Sequence, residues 1–217
     1  MTVLHLPAGD VRLEGELSEP VRPRGVIVFA HGSGSGRNSP RNKQVAADLT
    51  DQGFATLLFD LLTRDEELDD LRTSHLRFNV PLLAGRLSRV VAWARSEGAS
   101  TLAHLPVGLF GASTGAAAAL VAAARNPDDV AAVVSRGGRP DLAAHALEAV
   151  KAPTLLIVGS LDTEVLALNE RSLERMDPDA GHRLAVVKGA GHLFEEPGAL
   201  GEVARLSAEW FGSNVPE

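Results

Sequence analysis

Six short apolar runs, separated by segments of helical periodicity, constrain the fold of this 217-residue chain most strongly. Most of the runs lack the apolar–polar alternation of a half-buried strand, which indicates strands buried on both faces. Because such strands alternate with helices, the sequence predicts repeated crossover units and a mostly parallel central sheet flanked by helices on both faces. The predicted strands are residues 25–30, 54–60, 105–111, 130–135, 154–159 and 183–187.

The N-terminus carries a different pattern. Residues 2–6 and 11–17 alternate apolar and polar positions and are separated by Pro-Ala-Gly-Asp, which predicts an antiparallel hairpin at one edge of the sheet. No internal repeat or linker is found, so the sequence predicts a single α/β domain over residues 1–217. The predicted helices are residues 40–52, 78–97, 113–125, 141–150, 165–175 and 199–210.

Composition excludes several classes of function. The formal net charge of -7 argues against binding to nucleic acid or to an anionic membrane, because both need a basic face. The absence of cysteine excludes a disulfide framework, a thiolate metal site and a cysteine nucleophile. No secretory signal and no apolar run of the roughly 18 residues of a membrane helix is found. The expectation is a cytoplasmic monomer or homodimer that acts on a small molecule.

A candidate nucleophile follows the third strand of the predicted parallel sheet. Ser113 lies in Gly111-Ala112-Ser113-Thr114-Gly115, which matches G-x-S-x-G at a strand-to-helix junction. In this turn the serine backbone is strained and its hydroxyl exposed, and the glycines let strand and helix approach closely. Because serine is also a favoured helix N-cap, the pentapeptide alone leaves a capping role open.

A candidate acid and a candidate base follow the fifth and sixth strands. Asp162 and His192 each lie on a loop just past a strand, and parallel strands bring such loops to one edge of the sheet. The chain order serine, aspartate, histidine is typical of α/β-hydrolases. Asp162 alone would equally suit a helix N-cap, and His192 alone a loop residue without a role. The prediction of a Ser113–Asp162–His192 triad therefore depends on the three residues together.

The loop after the first buried strand begins His31-Gly32-Ser33-Gly34 and suits a second part of a hydrolytic site. A tetrahedral intermediate needs two backbone donors, one from the residue after the nucleophile and one from a loop after an earlier strand. We predict an oxyanion hole formed by the backbone amides of Thr114 and Ser33, with Gly34 as the alternative to Ser33. His31 is expected to pack and hold the loop rather than to act as a second base.

The same glycines also raise the possibility of nucleotide binding. The spacing of Gly32, Gly34 and Gly36 is one residue short of the dinucleotide-binding motif G-x-G-x-x-G. A P-loop has lysine and then serine or threonine after its last glycine, where this chain has Arg37 and Asn38. Asp60 ends the next strand at a distance that would suit a ribose contact. Nucleotide binding therefore stays open as a minor alternative, although it would leave the predicted triad unexplained.

These motifs resemble those of the α/β-hydrolase superfamily and, more narrowly, of the dienelactone hydrolase family. The resemblance implies an α/β-hydrolase fold with Ser113 as nucleophile, Asp162 as acid and His192 as base. Dienelactone hydrolase itself has cysteine where this chain has Ser113, which favours a general serine esterase. Some relatives also carry a phosphoribosyltransferase domain, and no such activity is expected here. The matching stretches cover nearly the whole chain: HGSGSG, LFGASTGAAAAL, PTLLIVGSLDTEV and GAGHLFEEPGAL.

Features at the same edge of the sheet bear on the substrate. Residues 135–150 are too few for a lid, so we expect no cap domain and an open site for a small substrate. Arg37, Arg41 and Arg136 follow strands and are candidate substrate-binding residues for a carboxylate or phosphate. Arg136 could instead pair with a carboxylate such as Asp141 or cap a carbonyl. Residues 65–70, acidic except for one leucine, are expected to be a solvated surface, with a partner contact or a mobile flap as the alternatives.

The sequence therefore predicts a serine hydrolase that cleaves a small carboxylic ester or thioester through an acyl-enzyme. The histidines show no metal-ligand spacing, and neither a metal nor an organic cofactor is expected. The alternative is a protein of α/β-hydrolase fold that binds a ligand or a partner without turnover.

Overall fold

Eight strands form one sheet in the computed structural model, which describes residues 2–96 and 101–216. Their order across the sheet is β1-β2-β4-β3-β5-β6-β7-β8. The first two strands form the expected antiparallel hairpin, β2 continues antiparallel to β4, and all later neighbours are parallel. The strands are β1 (Thr2–Ala8), β2 (Val11–Ser18), β3 (Val26–Ala30), β4 (Ala55–Phe59), β5 (Val107–Ala112), β6 (Val130–Arg136), β7 (Thr154–Gly159) and β8 (Arg183–Val187).

Helices cover both faces of this sheet, as predicted. Successive residues of β3 point to opposite faces, so that Val28 packs with α3 and α4 while Ile27 packs with α1 and α6. All five residues of β3 are buried, which explains its unbroken apolar sequence. The helices are α1 (Pro40–Asp51), α2 (Arg64–Thr73), α3 (Val80–Ala94), α4 (Thr114–Arg125), α5 (Thr163–Leu173) and α6 (Ala199–Asn214).

The segment between β6 and β7 differs from the prediction, which placed a helix at residues 141–150. It contains two short 3₁₀ turns instead, Pro140–Ala143 and Leu147–Ala149. Side chains of later segments hydrogen-bond its carbonyls: Asn169 donates to the carbonyl of Gly138 at 2.9 Å, and Arg175 to that of Ala144 at 2.8 Å. These long-range bonds replace helical ones, and no cap domain is present in this segment.

The acidic segment is also organised differently from the expected solvated surface. Residues 65–70 belong to α2, which begins with a capping box formed by Thr63 and Glu66. Glu66 binds the buried guanidinium of Arg86 at 2.5 Å, and hydrogen bonds from Arg86 lower the pKa of Glu66. Asp70 is buried and pairs with Arg77 at 2.5 Å. Burial alone would raise the pKa of Asp70, but hydrogen bonds from Arg77 bring it below its ordinary value. The solvated-surface prediction is therefore wrong for these carboxylates.

The predicted helix at residues 78–97 is α3, which begins at Val80 and ends at Ala94. Its predicted last residue, at position 97, lies outside the described part of the chain. Within residues 2–96 and 101–216, none of the helices combines the length and apolarity needed to cross a bilayer.

Candidate active site

Ser113 occupies the sharp turn between β5 and α4. Its backbone has φ 51° and ψ -120°, a region that non-glycine residues rarely adopt and that costs about 1–3 kcal/mol. The turn is held by its neighbours: the Ser113 N–H donates to the Arg136 carbonyl and the Arg139 N–H donates to the Ser113 carbonyl, both at 3.1 Å. Ser113 is at the N-cap position of α4, but its side chain makes no capping hydrogen bond. The Ser113 side chain therefore does not have the capping role that the sequence left open.

The glycines of the pentapeptide are required by close packing around this turn. A Cβ at Gly115 would lie 2.2 Å from the Ala30 carbonyl oxygen at the end of β3, and one at Gly111 would lie 2.4 Å from Ala116 Cα. Both contacts are with backbone atoms that side-chain rotation cannot relieve. The two glycines thus let α4 start directly against the sheet, with Ser113 at its edge.

We predict that Gly115→Ala lowers the free energy of unfolding by about 3 kcal/mol, at the upper end of the usual cost of overpacking. Chemical denaturation measures this change. The matched control is Gly85→Ala in α3, where an added Cβ meets nothing within 4 Å. That control should be neutral or stabilising by about 0.5–1 kcal/mol, because alanine favours helix. Similar effects at the two positions would contradict the steric explanation.

Asp162 and His192 are brought together by the loops after β7 and β8. Asp162 Oδ2 lies 2.6 Å from His192 Nδ1. Asp162 is at the N-cap position of α5, but its side chain does not cap that helix either. Because a carboxylate can only accept, this contact favours the neutral tautomer with the proton on Nδ1, which leaves Nε2 as the free ring nitrogen. The His192 side chain is 39% exposed and that of Asp162 14%, so the imidazole is open to solvent and the carboxylate largely covered.

The His192 loop lies against the segment that follows β6. A Cβ at Gly137 would lie 3.1 Å from the His192 carbonyl oxygen and 3.5 Å from its Nδ1. The preceding residue, Arg136, accepts the Ser113 N–H through its carbonyl, so Ser113 and His192 lie against consecutive residues of this segment. Within the described chain, no hydrogen bond joins Ser113 Oγ to the imidazole; such bonds are often long without substrate.

The two predicted oxyanion donors are also neighbours. The Ser33 N–H donates to Thr114 Oγ1 at 2.9 Å, a contact that the sequence did not predict. Thr114 is the first residue of α4, so its own N–H has no acceptor within the helix. Gly32 brings the loop after β3 close to Ser113, since a Cβ at Gly32 would lie 3.1 Å from Ser113 Cβ. In this structure the Ser33 N–H is therefore already bonded to the Thr114 hydroxyl. Gly34, the predicted alternative donor, has a positive φ of 69°.

His31 holds the loop after β3, as expected from the sequence. The imidazole is buried, its Nε2 accepts the Leu61 N–H at 2.9 Å, and its Nδ1 lies 3.0 Å from the Gly32 carbonyl. Because an amide can only donate, Nε2 is unprotonated and Nδ1 carries the proton to the carbonyl. The side chain therefore links the loop to the end of β4 and is not available as a second base.

Burial lowers the pKa of His31 below its ordinary value of 6.5. The unfolded chain then binds more protons than the folded one below pH 6.5, so this contribution to stability is lost as the pH falls from 6.5 through the folded pKa. One such proton corresponds to about 1.4 kcal/mol per pH unit. We predict that His31→Gln flattens the dependence of the unfolding free energy on pH below 6.5, as measured by urea denaturation. An unchanged slope would contradict a neutral buried His31.

The candidate substrate-binding arginines differ in their partners. The guanidinium of Arg37 pairs with Asp60 and, at 2.5 Å, with Glu14. The backbone N–H of Arg37 also donates to the Asp60 carboxylate, at 2.7 Å. This arrangement favours a structural role for Arg37 and leaves Asp60 engaged, which argues against the ribose contact. Arg41 pairs with Glu195 at 2.9 Å in the segment after His192.

A pocket of about 270 Å³ adjoins the loop after β3. Residues 31–36 and Thr114 form one side, and α2 contributes Glu67, Asp70 and Leu71 to another. The sequence pattern did not predict this wall, although Thr63-x-x-Glu66 matches a capping box at the start of a helix and could have indicated it. The described residues contain no group of three or more possible metal-ligating side chains. The leucines that line the pocket are Leu61, Leu62, Leu71 and Leu83.

Solved structures of the same architecture are α/β-hydrolases, and this chain has that fold. A dienelactone hydrolase from Anabaena variabilis ATCC 29413 is 54% identical, covers 99% of this chain and 97% of its own, and superposes with a TM-score of 0.94. Est1E from Butyrivibrio proteoclasticus, at 14% identity, 98% coverage of both chains and a TM-score of 0.80, shares the fold alone. The model of the dienelactone hydrolase family matches residues 13–210, and the chain belongs to that family.

Two curated relatives come from Mycobacterium tuberculosis strains CDC 1551 and H37Rv. They are 55% identical over 204 residues, which is 94% of this chain and 44% of each relative. Both carry the provisional name of phosphoribosyl transferase. The chain thus spans less than half the length of these relatives.

Proposed function

We propose that this protein is a serine hydrolase that cleaves a small carboxylic ester or thioester through an acyl-enzyme. One observation carries the proposal: Ser113 and Asp162 both occupy helix N-cap positions, yet neither side chain caps its helix. Asp162 binds His192 instead. Ser113 lies in a strained turn and Asp162 lies beside a histidine, and neither makes the capping hydrogen bond open to it. This arrangement suits nucleophilic catalysis better than helix stability. Membership of a hydrolase family supports the same conclusion.

In the proposed reaction, His192 Nε2 takes the proton of Ser113 Oγ as the oxygen attacks the substrate carbonyl. The developing oxyanion accepts from the Thr114 N–H and from the Ser33 N–H, which exchanges Thr114 Oγ1 for the substrate oxygen. His192 then protonates the leaving oxygen or sulfur. Water repeats the sequence on the acyl-enzyme and releases the acid, while Asp162 keeps the imidazole in the required tautomer throughout.

The pocket beside Thr114 supports a small substrate group. Its volume of about 270 Å³ and its leucine lining favour a short apolar acyl or alcohol group over a long chain. The segment after β6, where a lid is absent, leaves His192 accessible to the leaving group and to water.

The test is labelling of the folded protein with a fluorophosphonate probe, followed by mass spectrometry of the labelled peptide. Modification of Ser113 together with hydrolysis of short 4-nitrophenyl esters is expected. Folded protein that is neither labelled nor active on an ester panel of varied chain length and charge would favour the ligand-binding alternative.

A further inference from the structure

Arg136 is a buried arginine whose Nε and Nη1 have no hydrogen-bonding partner among the described residues. It is the last residue of β6 and is 7% exposed. Its Nε and Nη1 are buried and make no hydrogen bond within residues 2–96 and 101–216. The carboxylate that the sequence suggested for it, Asp141, binds Arg139 at 2.8 Å instead.

The surroundings of Arg136 make this charge costly for the folded protein. Burial and the positive charge of Arg41 together lower the pKa of Arg136 to about 10, so the guanidinium is still protonated at neutral pH. A buried charge without a counter-ion destabilises a fold, and replacing it with an apolar side chain is often neutral or stabilising. A charge kept at such a cost beside a reactive site suits the binding of an external anion better than stability.

The position of the side chain follows from the strand register. Alternate residues share a face of the sheet, and Val134 packs in the same cluster as Val45 of α1. Arg136 therefore points to the α1 side, where Arg41 lies. Arg41 in turn binds Glu195 at 2.9 Å, which joins the first turn of α1 to the segment after His192.

The start of α1 adds to the positive potential at this place. This helix of 12 residues is capped by Ser39 and has no acidic residue in its first turn. The macrodipole of a helix N-terminus favours an anion. Pro40 has no N–H and the Asn42 N–H donates to Ser39 Oγ, so Arg41 supplies the remaining backbone donor of this turn. Arg41 lies in that first turn. It is paired with Glu195, yet its positive charge still lowers the pKa of Arg136, so both guanidinium groups contribute to the positive potential at this helix end.

We propose that Arg136, assisted by Arg41 and the first turn of α1, binds a carboxylate or phosphate group of the substrate. The preferred ester then carries an anion at a distance from the scissile bond, with that anion between α1 and the His192 loop. The inference rests on the proposed function for its catalytic part, but the anion site itself can be tested without turnover.

The binding test uses Ser113→Ala protein, which cannot turn over a substrate, titrated with inorganic phosphate and with succinate. Calorimetry and thermal unfolding should both show that the anion binds, and Arg136→Met on this background should abolish the effect. Arg139→Met, which removes an arginine paired with Asp141, should retain it. Anion binding that survives Arg136→Met, or no binding of either anion, would overturn the proposal.

Arg136→Met should also raise the melting temperature in the absence of anions, because it removes a buried unpaired charge. A structural arginine would behave in the opposite way. A lower melting temperature with unchanged anion binding would identify Arg136 as a structural residue and overturn the proposal.

The kinetic test compares esters that differ in charge. For a carboxylate the pair is 4-nitrophenyl butyrate and 4-nitrophenyl hemisuccinate; for a phosphate it is 1-acetylglycerol with and without a 3-phosphate. Arg136→Met should raise KM for the preferred charged ester by about 10- to 100-fold and leave KM for its neutral partner within a few fold. The pair that responds identifies the anion, and equal changes within both pairs would overturn the inference.

The two proposals fail in different ways. A wild-type protein that binds phosphate or succinate through Arg136 but is not labelled by the fluorophosphonate and cleaves no ester retains the anion site and loses the hydrolase function. In the opposite case the protein is labelled and cleaves neutral esters, but Arg136→Met and the wild type show the same ratio of KM values for charged and neutral esters. That result rejects the anion site and retains the hydrolase function.

Discussion

Replacing Ser113 by alanine is expected to lower kcat for a short ester by about 10⁶-fold, the size of effect found when a triad serine is removed. The reason is that the acyl-enzyme cannot form without the hydroxyl. The melting temperature should stay close to that of the wild type, because Ser113 makes no capping hydrogen bond and alanine occupies the same strained backbone as serine. Ester hydrolysis and fluorophosphonate labelling measure the first effect, and thermal unfolding the second.

A matched serine control is available in α6. Ser213 is exposed, far along the chain from the predicted site, and its hydroxyl donates to the Glu209 carbonyl. Ser213→Ala should leave both labelling and turnover at the wild-type level. If Ser113→Ala retained more than a small fraction of the activity, the nucleophile would be another residue and the proposed acyl-enzyme at Ser113 would be wrong.

Much of the fold could be predicted because the parallel strands are buried on both faces. In β3, Ile27 and Val28 face opposite cores, so neither position tolerates a polar residue and the strand is visible as an apolar run. The hairpin was equally visible, because one face of β2 is buried and the other is not. These are local consequences of burial, which a sequence records residue by residue.

The segments that were predicted wrongly are governed by distant partners. Residues 141–150 lack a helix where Asn169 and Arg175, which lie well beyond it in sequence, bind carbonyls of the β6–β7 segment. The acidic stretch is ordered by Arg77 and Arg86 rather than by solvent. Local periodicity contains no information on such pairs, and charge alone was an unreliable indication of exposure.

The candidate site shows the same division. Placing Asp162 and His192 after parallel strands was enough to predict that they meet, and the structure brings them to 2.6 Å. The sequence could not predict that Arg37 pairs with Asp60, or that Nε and Nη1 of Arg136 have no hydrogen-bonding partner among the described residues. Both arginines simply lie at or beyond the end of a strand. Strand order fixes which residues reach the edge of the sheet, while packing decides which charges are neutralised there.

Asp162→Asn is expected to lower kcat by about 10⁴-fold, the effect of losing the correct histidine tautomer in a triad. Asparagine can donate through its amide to Nδ1 of His192, which would move the imidazole proton to Nε2 and remove the base that Ser113 needs. The control is Glu164→Gln, which removes an exposed carboxylate two residues away in the first turn of α5 and should leave kcat within a few fold. The variant should also react more slowly with the fluorophosphonate, because nucleophile activation precedes labelling. Wild-type turnover by Asp162→Asn would mean that the 2.6 Å contact orients His192 for no catalytic purpose and that another group serves as the acid.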